Sequence, residues 1–357
     1  MREDVVDALK KCAEALQYGN PALANAEMRK VLFLAEEETE PATRRLIGYF
    51  AQALACRAYG PHSKYFSFPS PDWKYRMFDS LYLFHRLGWY LSAVVKGKCK
   101  VHVIELVKHM YGDEQWDSIF FAVDDWGDLT HLRLSFLVEE KVEFSKESEE
   151  RLIFHSDYHG IELEYKIIAV NSFADIDVSL LEMRDGEFVV VNCMLVFSKI
   201  LFEALALEKL LQRVRDVMRV DVMIVVEHDA NHNQSDFLLR FDESLRYYSS
   251  LFQDLLSYYC PGAEPYFRYQ IGNIVACEGS NRVERHQTWA QWKSLLIHYG
   301  FSIFNSFIKW ENDEYEEWME DGIWVRKSAE TEKRPLFFFS AWEILTSPSK
   351  SSGSNEG

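Results

Sequence analysis

The sequence predicts an α/β protein: a mainly parallel sheet behind an all-helical N-terminal lobe. Three observations carry this. Through the first sixty residues, apolar side chains recur at helical spacing, and an apolar-rich helix follows at 73–95. Beyond residue 98, β-rich runs alternate with helical patterns, the order that builds a parallel sheet with right-handed crossovers. Two of those runs, FVVVNCM and VMIVVEH, are almost continuously apolar, as strands covered on both faces are.

Taken in order, Val5, Leu9, Cys12 and Leu16 form the stripe of a first helix. Asn20 and Pro21 are an N-cap and a first-turn proline, and open a second helix to about residue 36. EEETE and Pro41 break it. A third helix, 42–59, carries Leu46, Phe50, Ala53 and Leu54, and Gly60-Pro61 stops it. SFPSPD is a loop. Strands are expected at 101–105, 131–138, 161–170, 187–193 and 222–226, and helices at 150–158, 201–218 and 236–258. Residues 322–327 and 335–343 read as a hairpin-like ending. The division that follows is a helical lobe at 1–98, an α/β core at 99–346 and a polar, disordered tail at 347–357.

The densest stretch is 268–301. Phe267, Ile271, Ile274 and Val275 mark one helix, which Gly279 stops. Asn281 reads as the N-cap of the next, with Glu284 completing a capping box. Trp289, Trp292, Leu296 and Tyr299 share its apolar face, and Gly300 suits a left-handed end. The corner between the helices holds Glu278, Arg282, Glu284, Arg285 and His286. These charges either pair with one another or hold another part of the chain. The structural role is favoured, with Arg282, Glu284, Arg285 and His286 locking the corner to the core.

The chain has 357 residues and is 48% hydrophobic, ample for a packed core. No apolar run approaches a membrane span, and the charged start MREDVVDALKK is no signal peptide. Six scattered cysteines without a CxxC pair read as reduced thiols, with no zinc spacing. The net charge of −17 repels phosphate backbones, and Lys98–Lys100 is the densest basic hint. Direct DNA binding is therefore not the expected main activity.

In open α/β sheets, ligands sit outside the carboxyl ends of the strands. Glu105, Asn192 and Glu227 fall there, as candidates for one small-molecule crevice or as loop caps. A nucleotide or S-adenosylmethionine site needs small residues after the first strand. The run LVKHMYGDEQW offers only Gly112. GxGxxG, P-loop and GxSxG patterns are absent. His228, Asp229, Asn231, His232 and Asn233 match no common zinc spacing, and Ser235 or Asp236 reads as the cap of the next helix. Neither a catalytic residue, a metal nor a cofactor is expected. Trp310, Trp318 and Trp324 are either core or partner anchors.

Several segments also carry a resemblance. VDALKKCAEALQYGNPALANAEMRKV and RLIGYFAQALACRAYG look like a first leucine-rich region. VHVIE stands as a VHIID motif, and VVVNCMLVF with the run from VVEHDANHNQ to YYSSLFQDL as a second leucine-rich region running into PFYRE. IGNIVACEGSNRVERHQTWAQWKSLLIHYGF and LFFFSAWEI resemble PFYRE and SAW motifs. Together they resemble the Scarecrow-like GRAS family of plant transcriptional regulators. The resemblance implies a helical cap on a core similar to Rossmann-type methyltransferases. It implies a nuclear protein acting through DNA-binding transcription factors of zinc-finger type and through other GRAS proteins. Self-pairing and direct DNA contact stay open, as does a residual S-adenosylmethionine or other small-molecule site. Three features depart from the family pattern: Glu105 replaces the motif's aspartate, LVKHMYGDE after it lacks the usual DFDI-like and glycine pattern, and 62–98 is unlike the family sequence. The N-terminal extension common in the family, with any DELLA-type segment, is not among these residues, so its functions are not expected from them.

Overall fold

The computed structural model describes residues 1–60, 83–107, 115–120, 127–139, 146–203, 205–252, 264–304, 309–312, 315–320, 323–327 and 337–345. The loop expected at 67–72, the run 108–114 after the first strand and the tail lie outside these residues.

The N-terminal helices are α1 (Glu3–Gln17), α2 (Pro21–Glu36), α3 (Pro41–Tyr59) and α4 (Leu83–Val95). Val5, Leu9 and Cys12 are buried as the stripe requires, and the Asn20 side chain accepts the Leu23 amide at the start of α2. α3 packs its Leu46, Phe50 and Leu54 face inward.

The sheet follows: β1 (Lys100–Val107), β2 (His131–Val138), β3 (Glu162–Ala169), β4 (Phe188–Met194), β5 (Val222–His228), β6 (Phe301–Ile303) and β10 (Phe337–Ile344). Its order is β3-β2-β1-β4-β5-β10-β6. β1 to β5 are parallel, and β10 is inserted antiparallel between β5 and β6. The fold is Rossmann-like, with its switch point between β1 and β4. As expected, β5 is buried along its whole length.

Each face of the sheet has its own core. Val103, Val190, Ile224 and Val226 join one apolar cluster with α1, α3, α4, α9 (Phe237–Leu251) and α10 (Glu264–Ala276). Ile104, Val191, Met223 and Val225 join the other, under α7 (Phe197–Ile200), α8 (Ala206–Asp216) and α11 (Trp289–His298). Two further helices, α5 (Gln115–Phe120) and α6 (Lys146–His159), flank the β2–β3 side. No helix among the described residues is long and apolar enough to cross a membrane.

Three expectations are corrected. The ending is not a hairpin of 322–327 with 335–343. β9 (Ile323–Lys327) pairs with β8 (Tyr315–Glu320), which pairs with β7 (Lys309–Asn312), in a separate antiparallel sheet. β10 instead completes the main sheet, where Phe339 and Ala341 reach one core and Trp342 the other. The helix expected at 201–218 begins only at Ala206, because Leu205 is held left-handed at φ 63 and breaks it. The third correction, at 281–288, belongs to the site.

Candidate functional site

The carboxyl ends of the parallel strands are where such a sheet would receive a ligand. Glu105 and Asn192 are register partners on adjacent strands and share one face. The Asn192 amide donates to both Glu105 oxygens at 2.9 Å. Both residues are buried, and burial pushes the Glu105 carboxyl up to about 8.

Glu227 does not join them. Strand side chains alternate between faces. Ile224 is the register partner of Asn192, so Ile224 and Val226 share the face of that pair and Glu227 points to the other. The expected three-residue crevice is thus split by the pleat. Glu227 instead accepts the Ser198 amide at 3.1 Å, and burial raises its carboxyl to about 7. Leu195, buried and left-handed at φ 53, turns the chain from β4 into α7 and so brings Ser198 to Glu227. That is a costly backbone for a branched residue.

A strap of residues 282–288 passes along the β4 and β5 end of this rim. The sequence pattern predicts a helix from Asn281; the structure has a 3₁₀ turn at Gly279–Asn281 and then a segment without regular secondary structure, extended at Arg282 and at Thr288. The helix starts later. Thr288 is the N-cap of α11, and Gln291, not Glu284, completes the capping box. The reason is that Glu284 is spent elsewhere: its carboxylate is buried against Lys199 at 2.8 Å.

The strap is fastened on both sides. The Asn273 side chain of α10 accepts the Val283 and Glu284 amides, each at 2.9 Å. The Arg285 amide donates to the Ser198 carbonyl, and the His286 carbonyl accepts the amides of His232 and Asn233. Arg282 donates to the His232 carbonyl at 2.8 Å. Arg285 makes no ion pair among the described residues and donates to the carbonyls of Arg282 and Gly279, tying the turn. Asp229 accepts the Trp289 amide at 2.8 Å. Trp289 packs on Trp342 and Trp292 on Phe197, so α11 anchors the strap's far end. Asp236 accepts the Leu239 amide, the cap expected there.

Behind the strap lies a buried polar network. Gln270 reaches Glu284, His286 and His228 at 3.3, 3.2 and 3.2 Å. The His228 and His286 rings stack at 4.1 Å, and His228 meets the Tyr247 hydroxyl at 2.7 Å. His286 Nε2 faces the Glu284 carboxylate, so it carries a proton and its Nδ1 accepts. The facing His232 Nδ1, at 2.9 Å, must then donate. Burial lowers the titration of all three histidines, and each positive neighbour lowers it further. Burial alone would raise the Glu284 carboxyl, but Lys199 and His286 hold it well below the usual range. Lys199 also sits 5.0 Å over the Tyr266 ring. Among the described residues, no group of three or more His, Cys, Asp or Glu is placed to hold a metal.

Sequence reasoning found the strap's charges and His228 and His232, but missed Lys199, Gln270 and Asn273. The signal for Lys199 was available: it is the lone charge within the apolar run MLVFSKILF. Gln270 and Asn273 face inward on α10 and gave none.

Residues 89–318 match the GRAS domain family. The chain is 35% identical over 322 residues to DELLA protein GAI1 of Vitis vinifera, covering 84% of this chain and 53% of that protein. It is 33% identical to DELLA protein RGA of Arabidopsis thaliana, covering 96% of this chain and 62% of that protein. The chain thus spans little more than half the length of these relatives. The crystal structure of SCL7 from Oryza sativa superposes with a TM-score of 0.67 at 20% identity, covering 95% of this chain and 99% of that one.

Proposed function

The chain belongs to the GRAS domain family, and from that premise we propose that it is a nuclear regulator of transcription that works by docking other proteins. The observation that carries this reading is the strap. It lays the chain's own Glu284, Arg285 and His286 against the segments that follow β4 and β5, on the carboxyl side of the sheet from which an α/β enzyme receives its ligand. What the fold offers to partners is then its outside. Leu32 and Phe33 on α2 are 51% and 61% exposed, and Tyr18 and Leu23 near its start are exposed too. Apolar side chains gathered on one surface helix support a protein contact better than they support folding. The partners this reading names are zinc-finger DNA-binding transcription factors and other GRAS proteins.

The test is affinity capture from plant nuclear extract, with the full chain and its L32D/F33D variant as bait. Transcription factors and GRAS proteins should be enriched by the parent chain and lost with the variant, whose melting temperature should be unchanged. Equal recovery with the variant would remove α2 as the docking helix. Recovery of no transcription factor by the parent chain would remove the function.

A further inference from the structure

The turn that leads into the strap gathers positive charge in a chain that carries −17. Arg57 of α3 and Arg240 of α9 meet there with Arg282 and Arg285. Arg57 donates to the Val275 carbonyl at 3.1 Å and Arg240 to the Ile274 carbonyl at 3.0 Å, so both sit on the negative end of α10. Both also pair with one carboxylate, Glu278, at 2.8 and 2.5 Å. Arg282 and Arg285 have no carboxylate partner among the described residues and donate to carbonyls instead. A carbonyl satisfies the hydrogen bond and leaves the charge in place.

These charges act on one another. Burial first, then Arg240 and Arg285, bring the Arg282 guanidinium down to about 10. Asp236, one turn before Arg240, is the N-cap of α9 and accepts the Leu239 amide. With Glu278, Asp236 and the end of α10 all counted, the corner keeps a positive excess. Donors are left over as well. Arg282 is 4% exposed, and its Nε has no acceptor among the described residues. Arg57 bonds through Nη1 alone among those residues, and Arg285 Nη1 reaches only Asn233, at 3.4 Å. The ground beside them is open: Gly279, Ser280 and Asn281 are exposed, and a side chain on Gly279 would begin with nothing within 4 Å.

We propose that Arg57, Arg282 and Arg285 form a binding site for a phosphate monoester, free or carried on a phosphorylated partner segment. Such a group brings about two negative charges and three acceptor oxygens. Guanidinium forks match those oxygens and hold them by charge-assisted hydrogen bonds. The phosphate supplies the charge that Glu278 alone does not. A long polyanion fits less well, because the acidic remainder of the chain repels its further phosphates. The site is separate from the α2 face.

The test is isothermal titration of the full chain at low salt with three probes: inorganic phosphate, a glycine-serine peptide carrying one phosphoserine, and the same peptide unphosphorylated. We expect saturable binding of the first two and none of the third. The phosphopeptide binding more tightly than phosphate would assign a carried group, and equal affinities a free one. R57Q and R285Q should each weaken binding about tenfold. E278Q should tighten it several-fold, since it removes the carboxylate that competes for Arg57, and this arm keeps the test valid if an arginine variant melts early. R219Q, at a 77% exposed arginine elsewhere, should bind like the parent chain. No saturable phosphate binding by the parent chain and E278Q would overturn the proposal. So would R57Q and R285Q both binding like the parent, an equal loss in R219Q, or equal binding of the unphosphorylated peptide. L32D/F33D should keep phosphate while losing its captured partners, so the two readings fail separately.

Discussion

Lys199 and Glu284 are the side chains whose loss should cost most. Each is buried, and each leaves the other unpaired if removed. Lys199→Met should lower unfolding free energy by ~3–5 kcal/mol in urea titration. A loss below about 1 kcal/mol would mean that Gln270 and His286 suffice for Glu284. Protonation sets two opposed trends. The three buried histidines bind fewer protons folded than unfolded below their ordinary 6.5, so their contribution is present above that pH and lost as pH falls through it. Glu284, held low, adds to the acid loss once unfolded carboxylates protonate. Glu105 and Glu227 work the other way: their folded values, about 8 and about 7, exceed the ordinary 4.5, so the folded state binds more protons in that window. Their contribution is complete below 4.5 and is lost as pH rises toward 8. Glu105→Gln should therefore gain melting temperature relative to the parent chain between about pH 6 and 9, and parallel curves would contradict the assignment. At this scale the sequence was legible by charge but not by partner. Arg285 looked like half of a buried ion pair, and it bonds carbonyls, whereas the ion-pair role fell to Lys199, 85 positions from Glu284.

The strap is the element on which the site turns. Its start and end were misread because two capping signals lie seven residues apart: Asn281 with Glu284, and Thr288 with Gln291. Local pattern alone could not choose between them. Burial of Glu284 beside Lys199 decided it, a contact with no local signal. Thr288→Ala should cost about 1 kcal/mol of stability and Asn281→Ala only a few tenths, measured by urea unfolding. The reverse order would put the helix start back at Asn281. Elements with strong periodicity were legible. β2 matches its expected span, α2 and α3 match to within a residue or two, and α1 contains the expected stripe. β10 was recognised as a strand but not placed, because an antiparallel partner more than a hundred residues away leaves no local mark.

At the scale of the molecule, two cores press on one sheet, and the strap covers the β4 and β5 end of its rim. The alternation of strands and helices made the sheet legible in the sequence. The pleat that parts Glu227 from Glu105 and Asn192 became legible only with the register. The strap holds that end, and the proposed docking role predicts that no methyl donor binds beside it. Thermal unfolding with saturating S-adenosylmethionine tests this directly, since any ligand of the folded state must raise its melting temperature. No shift is predicted for the full chain. A saturable rise of several degrees, lost in Glu105→Gln, would show an open ligand site and contradict the account.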